Sequence, residues 1–121
     1  MSDSILRKKA LDFSVQILTL VKELKLKGEG IIANQIGRSG TSIGANLYEA
    51  QYAQGKADFV SKLQIALKEA SETGYWLELL NRTNAISQEQ YNILNAACAE
   101  IRVMLVSSVN TVKSSLNKNN G

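Results

Sequence analysis

The sequence predicts an all-α protein, an antiparallel up-down-up-down four-helix bundle that occupies residues 1–121 as one domain. Three observations predict it. Apolar residues recur in alternating steps of four and three along four segments, proline is absent, and turn signals fall only near residues 28, 54 and 84. Short loops between long helices favour antiparallel neighbours. With 121 residues and 13.2 kDa, the chain has room for one hydrophobic core, which excludes a multidomain enzyme.

The first segment, residues 4–27, places Leu6, Ala10, Phe13, Ile17, Leu20 and Leu24 on one seam within roughly 80° of arc. Leu11, Val15 and Leu18 gather on nearly the opposite side, so one helix carries two apolar stripes. Gly28 follows Lys25 and Lys27, as a left-handed cap after basic residues would.

The second segment, residues 30–52, puts Ile32, Ile36, Ile43, Leu47 and Ala50 on one face, with Ser39 and Asn46 completing the heptads. Gly37, Gly40 and Gly44 interrupt it. In a helix interior three glycines cost about 2–3 kcal/mol relative to alanine, so something must offset them. Either they form a smooth strip that admits a neighbouring backbone, or the helix kinks near Gly37 to Gly40.

The third segment, residues 57–82, carries a broad core face of Val60, Leu63, Leu67, Ala70, Gly74 and Leu77. Ile65, Trp76 and Leu79 point away from that face, where a lone bundle is ordinarily polar; Trp76 reads as an interface anchor. The fourth segment, residues 87–116, has the sharpest start. Ser87 with Gln90 matches a capping box, and Ile86 with Tyr91 matches the accompanying hydrophobic staple. Leu94, Cys98, Ile101, Leu105, Ser108, Val112 and Leu116 continue the rhythm, and residues 117–121 are expected to fray.

The two-stripe helices predict a homo-oligomer, its contacts drawn from Leu11, Val15, Leu18, Ile65, Trp76 and Leu79. No apolar run is read as long enough to cross a bilayer, and the first residues lack the apolar stretch of a signal peptide. The expectation is a cytoplasmic protein with no membrane partner.

Charge narrows the partners only slightly. The net charge is +3, and residues 1–27 alone hold six basic and three acidic groups. Arg7, Lys8 and Lys9 stand near one end of the first segment, and Lys22, Lys25 and Lys27 near the other. Both ends could neutralise phosphates of RNA or DNA. The opposing reading is a solvated helix face with cations near its negative end. No aromatic residue interleaves with these cations in sequence, which leaves base stacking without support.

Catalytic chemistry has little to stand on. The chain has no histidine, and its one cysteine, Cys98, lies on a core stripe, which excludes imidazole bases, histidine metal sites and disulfides. Glu69 and Glu72 are three residues apart, yet they lack the histidines of a bundle metal centre and any sign of burial. The segment from Gly37 to Gly44 lacks the Gly-Lys-Ser/Thr ending of a phosphate loop. No enzyme, cofactor or metal is expected.

The stretch from Gln35 to Leu80 contains Arg38-Ser39, Ser42-Ile43, Asn46 with Glu49, Asp58-Phe59, Ile65-Ala66 and Ala70-Ser71-Glu72. In these residues it resembles the four-helix-bundle proteins encoded within 23S rRNA intervening sequences. Ala50 stands where a glycine often follows the first glutamate, which implies a second helix that runs slightly further. That family is similar to the accessory variability proteins of diversity-generating retroelements. The resemblance implies a ring-like homo-oligomer, a pentamer, with nucleic acid and another protein such as a reverse transcriptase as partners. A pentamer would multiply the +3 surplus to about +15. Among the motif residues, Asn46 is expected to bond a facing backbone and Arg38 to pair with a carboxylate across an interface, or else to contact nucleic acid.

Overall fold

The structure, a computed structural model, describes the backbone of residues 2–120 and the side-chain surroundings of residues 4–117. Four helices follow one another: α1 (Ser2–Leu26), α2 (Gly30–Ala50), α3 (Lys56–Arg82) and α4 (Gln88–Asn120). No strand occurs among the described residues. Each helix packs closely on the next in sequence, a looser seam between α1 and α4 closes the square, and no diagonal pair meets among the described residues. This is the bundle that short loops and four amphipathic segments dictate.

The predicted seam of α1 is the core. Leu6, Ala10, Phe13, Ile17, Leu20 and Leu24 are all buried, against Ile36, Ile43 and Leu47 of α2 and Leu63, Leu77 and Leu80 of α3. In α4 the register drifts. Leu94, Cys98, Ile101 and Leu105 are buried as the heptad predicts, but Val109 replaces Ser108 inside, while Val112 and Leu116 are half-buried. A straight helix of 3.6 residues per turn rotates about 20° per heptad away from a 3.5-residue repeat, so a strict four-three pattern slides off the core after two heptads.

The glycines of α2 lie in an unbroken helix and serve close packing. A Cβ at Gly40 would lie 2.9 Å from Ile17 Cγ1, and one at Gly37 would lie 3.2 Å from Val21 Cγ2. Gly44 faces the Ala10 backbone at 3.6 Å, an ordinary contact. The side chain of Ile17 therefore fills the space at Gly40, while at Gly44 the α1 backbone itself comes within contact distance. The helical-propensity cost is offset by dispersion contacts that α1 makes in the space these glycines leave.

Turns end the helices by identifiable means. Gly28 takes φ +81°, and Glu29 N–H reaches Leu24 O at 2.9 Å, which closes α1 in a Schellman motif. Asn84 repeats the device at φ +61°, with Ala85 N–H to Leu80 O at 2.9 Å. The Ser87 and Gln90 capping box forms in both directions, at 3.1 and 3.3 Å.

Several boundaries differ from expectation, and two of the differences have a clear cause. α2 stops at Ala50 rather than 52, because the chain must turn at Gly55 (φ +130°) and Gln54 N–H already bonds Asp58 Oδ2 at the start of α3. The longer helix inferred from Ala50 does not form. α4 continues to Asn120 where fraying was expected beyond 116, since no proline or glycine interrupts it before Gly121. Gly121 and the side chains of residues 118–120 lie outside the described residues.

A further difference concerns hydropathy. Gln88–Asn117 contains an 18-residue window of mean hydropathy 1.2, so by length and composition α4 could cross a bilayer, contrary to the sequence reading. Leu94, Ile101 and Leu105 of this stretch are placed in the bundle core, whereas Ile93, Val103 and Val106 are exposed.

Candidate functional site

The motif residues assemble into a polar clip between α2 and α3. Arg38 Nη1 lies 2.9 Å from Glu69 Oε2, and its Nη2 meets Glu72 Oε2. Trp76 Nε1–H donates to the same Glu72 oxygen at 3.0 Å. That donor, followed by Arg38, holds the Glu72 carboxyl below its ordinary value, and the two glutamates in turn raise Arg38. The sign is the usual carboxylate one: the stabilisation is present above the unfolded value and fades as pH falls through the folded one.

Directly beneath the clip, Thr73 and Ser39 are fully buried and share a hydrogen bond of 2.9 Å between their hydroxyls, while Thr73 also bonds Glu69 O at 2.8 Å. They are the buried polar residues of this core, and both hydroxyls are satisfied. Replacing Thr73 by valine keeps the shape and leaves Ser39 without its cross-helix partner. The expected loss is about 1–3 kcal/mol in denaturant unfolding, and a second replacement, Ser39→Ala, should recover most of it.

Other motif residues act locally, and two expectations change. Asn46 Nδ2 donates to Ser42 O on its own helix at 2.8 Å rather than to a facing backbone. Trp76 is half-buried against the core of its own chain, with its N–H engaged, rather than a free anchor. Ser42 Oγ bonds Arg38 O, Glu49 pairs with Lys62 at 3.4 Å, Asp58 receives Gln54 N–H, and Phe59 packs half-buried on the core. Arg38 finds its carboxylates within the chain, and Glu69 and Glu72 are bound to it rather than poised for acid-base work.

The basic residues split by environment. Lys9 pairs with Glu100 at 3.0 Å across the α1–α4 seam, and Lys27 Nζ donates to Ala85 O at 3.4 Å, tying the first turn to the third. Lys8 makes only an exposed pair with Asp12 at 3.3 Å, of a kind that contributes little. Lys22 and Lys25 stand on the exposed surface near the end of α1.

At the opposite end the antiparallel pairing does what linear reading missed. It sets the start of α1 beside the end of α2, and so Arg7 and Lys8 beside Tyr48. These three, with Leu11, Ser14, Thr41, Gly44, Ala45 and Gln51, line an open-sided hollow of about 430 Å³. Tyr48 and Tyr52 are 62% and 71% exposed, and their rings lie 5.8 Å apart at a tilt of 54°. Tyr48 and partial burial raise the Tyr52 phenol above its ordinary value, and the Arg7 charge pulls the other way. The expectation that no aromatic group accompanies the cations fails here, because residues about forty positions apart in sequence meet. Pairing the ends of adjacent antiparallel segments would have revealed it.

The second stripe of α1 is open: Leu11, Val15 and Leu18 are 64%, 60% and 49% exposed. Ile65 is exposed as well, and Leu79 is half-buried. Cys98 offers no nucleophile. Burial pushes its thiol up to about 11 against a weaker effect of Arg102, and its Sγ–H points at Ala70 O, 3.3 Å away. Among the described residues no group of three or more potential ligands is placed to hold a metal ion.

Comparison with known proteins supplies the kinship. None of the curated proteins matches the chain. A solved structure of a protein of unknown function from the S23 ribosomal protein family of Bacteroides thetaiotaomicron is 50% identical and superposes with a TM-score of 0.89. The match covers 91% of this chain and 99% of that one. The sequence profile of the 23S rRNA-intervening sequence proteins matches residues 2–107, which include all of α1, α2 and α3 and most of α4. The chain therefore belongs to the 23S rRNA-intervening sequence protein family.

Proposed function

We propose that this protein is a non-catalytic scaffold or accessory factor that assembles with copies of itself and holds RNA or DNA on basic surfaces at its helix ends. The observation that carries the reading is the outer stripe of α1. Leu11, Val15 and Leu18 form a run of large apolar side chains that the bundle leaves uncovered. A run of this kind on one face marks an interaction surface. Polar residues border it, and Lys8 and Lys22 flank it at the two ends. A contact between unlike faces of successive copies closes into a ring when the rotation per copy divides the circle, the arrangement the family resemblance implies.

Assembly matters for the nucleic-acid half because a charge of +3 is modest for one chain and multiplies with copy number. Retention of an RNA hairpin and of a DNA duplex, followed through a salt series, tests it. Both should be held at about 50 mM salt and mostly released by about 200 mM, as counterion release requires. Indifference at low salt removes nucleic acid from the proposal. A second reading, a module that binds a different protein, is favoured by the exposed Val103 and Val106 on α4, outside the α1 stripe.

A further inference from the structure

The nucleic-acid reading leaves open which feature of the polymer is grasped, and the hollow between α1 and α2 answers it. Its lining is mostly apolar and includes the small residues Gly44 and Ala45; among the described residues no carboxylate lines it, although Lys8 at its edge also pairs with Asp12 on its own helix. Arg7 and Lys8 stand at its edge, and Tyr48 presents a largely exposed ring with Tyr52 at its side. An exposed aromatic pair is costly to leave in water and gains most from a flat partner. A cationic edge beside it asks for an anion. A nucleotide supplies both in one covalent unit, a planar base and a phosphate. Leu11 belongs to the hollow as well as to the outer stripe of α1, so a copy seated on Val15 and Leu18 must leave the Leu11 end open for the base to enter.

We propose that this hollow holds an unpaired base of single-stranded RNA or DNA, stacked on Tyr48, with the adjoining phosphate on Arg7 and Lys8. The volume of about 430 Å³ lies in the range of small-ligand sites, and the open side lets a strand enter and leave. A duplex keeps its bases stacked on one another and has none to offer, so the hollow discriminates single strands from duplexes. The inference rests on the nucleic-acid half of the proposed function and narrows it.

The test is fluorescence anisotropy of the full chain with labelled 12-nucleotide oligouridylate, oligodeoxythymidylate and a 12-base-pair DNA duplex. Stacking of one base is lost in Tyr48→Leu, so single-strand affinity should fall about fivefold or more, with duplex affinity unchanged. Tyr48→Phe keeps the ring and should keep the affinity. Arg7→Gln should lower the salt dependence by about one phosphate contact for the single strands. Tyr48 is mostly exposed, so the leucine variant should fold as the parent does. Single-strand binding that ignores Tyr48→Leu overturns the hollow and leaves the basic helix ends as the nucleic-acid surface. Absence of binding by the parent protein to all three probes overturns the nucleic-acid reading itself, and the hollow with it. A fall in solution mass in Tyr48→Leu reassigns the hollow to contact between copies and likewise overturns the inference.

Discussion

Gly40→Val should unfold at markedly lower denaturant than the parent, while Gly44→Ala, one turn away on the same helix, should be more stable. The two glycines look alike in sequence, and helix propensity alone would have both replacements help, by about 1 kcal/mol for alanine and a few tenths for valine. Packing separates them. A Cβ at Gly40 would sit 2.9 and 3.0 Å from two carbons of Ile17, itself fully buried, and valine adds two methyl groups to that collision. Overpacking of this kind costs about 1–3 kcal/mol or more, because the helices must part or Ile17 must leave its rotamer. At Gly44 the nearest atoms, Ser14 Oγ at 3.5 Å and the Ala10 backbone at 3.6 Å, accept a methyl group as an ordinary contact. Urea unfolding followed by circular dichroism checks both signs. Equal effects at the two positions would mean that α1 and α2 do not cross where Ile17 meets Gly40.

Val15→Asp combined with Leu18→Asp should reduce the solution mass to that of the 13.2 kDa chain without loss of helicity. In the single chain both side chains are largely exposed and contribute little to its core, so the bundle has no reason to unfold. In an assembly they would bring two carboxylates into an apolar contact. Burying an unpaired charge costs several kcal/mol, and each 1.4 kcal/mol weakens association tenfold. Dissociation constants should therefore rise at least about a hundredfold. Light scattering together with circular dichroism separates loss of assembly from loss of fold.

Much of this molecule is legible before any coordinates. The seam from Leu6 to Leu24, the cap at Gly28 and the reciprocal bonds of Ser87 and Gln90 follow from rules that act within one helix or one turn. What depends on how two helices meet is harder to read. Trp76 sits on the outward side of α3 by angle, yet its long side chain covers the core edge and its N–H finds Glu72, which Arg38 of α2 also holds. Asn46 could have served a facing backbone, but Ser42 O on its own helix was nearer. Tyr48 and Tyr52 become companions of Arg7 only when α2 lies antiparallel to α1. The drift from Ser108 to Val109 shows the same limit within one helix: a repeat of seven is exact in sequence and only approximate around a straight cylinder.

Sedimentation equilibrium of the unaltered protein tests the central claim most directly, because nothing about the chain has been changed. The account predicts a mass several times 13.2 kDa that persists at micromolar concentration. A single species of 13.2 kDa up to about 100 µM would contradict it, since Val15 and Leu18 would then face water with no copy to cover them.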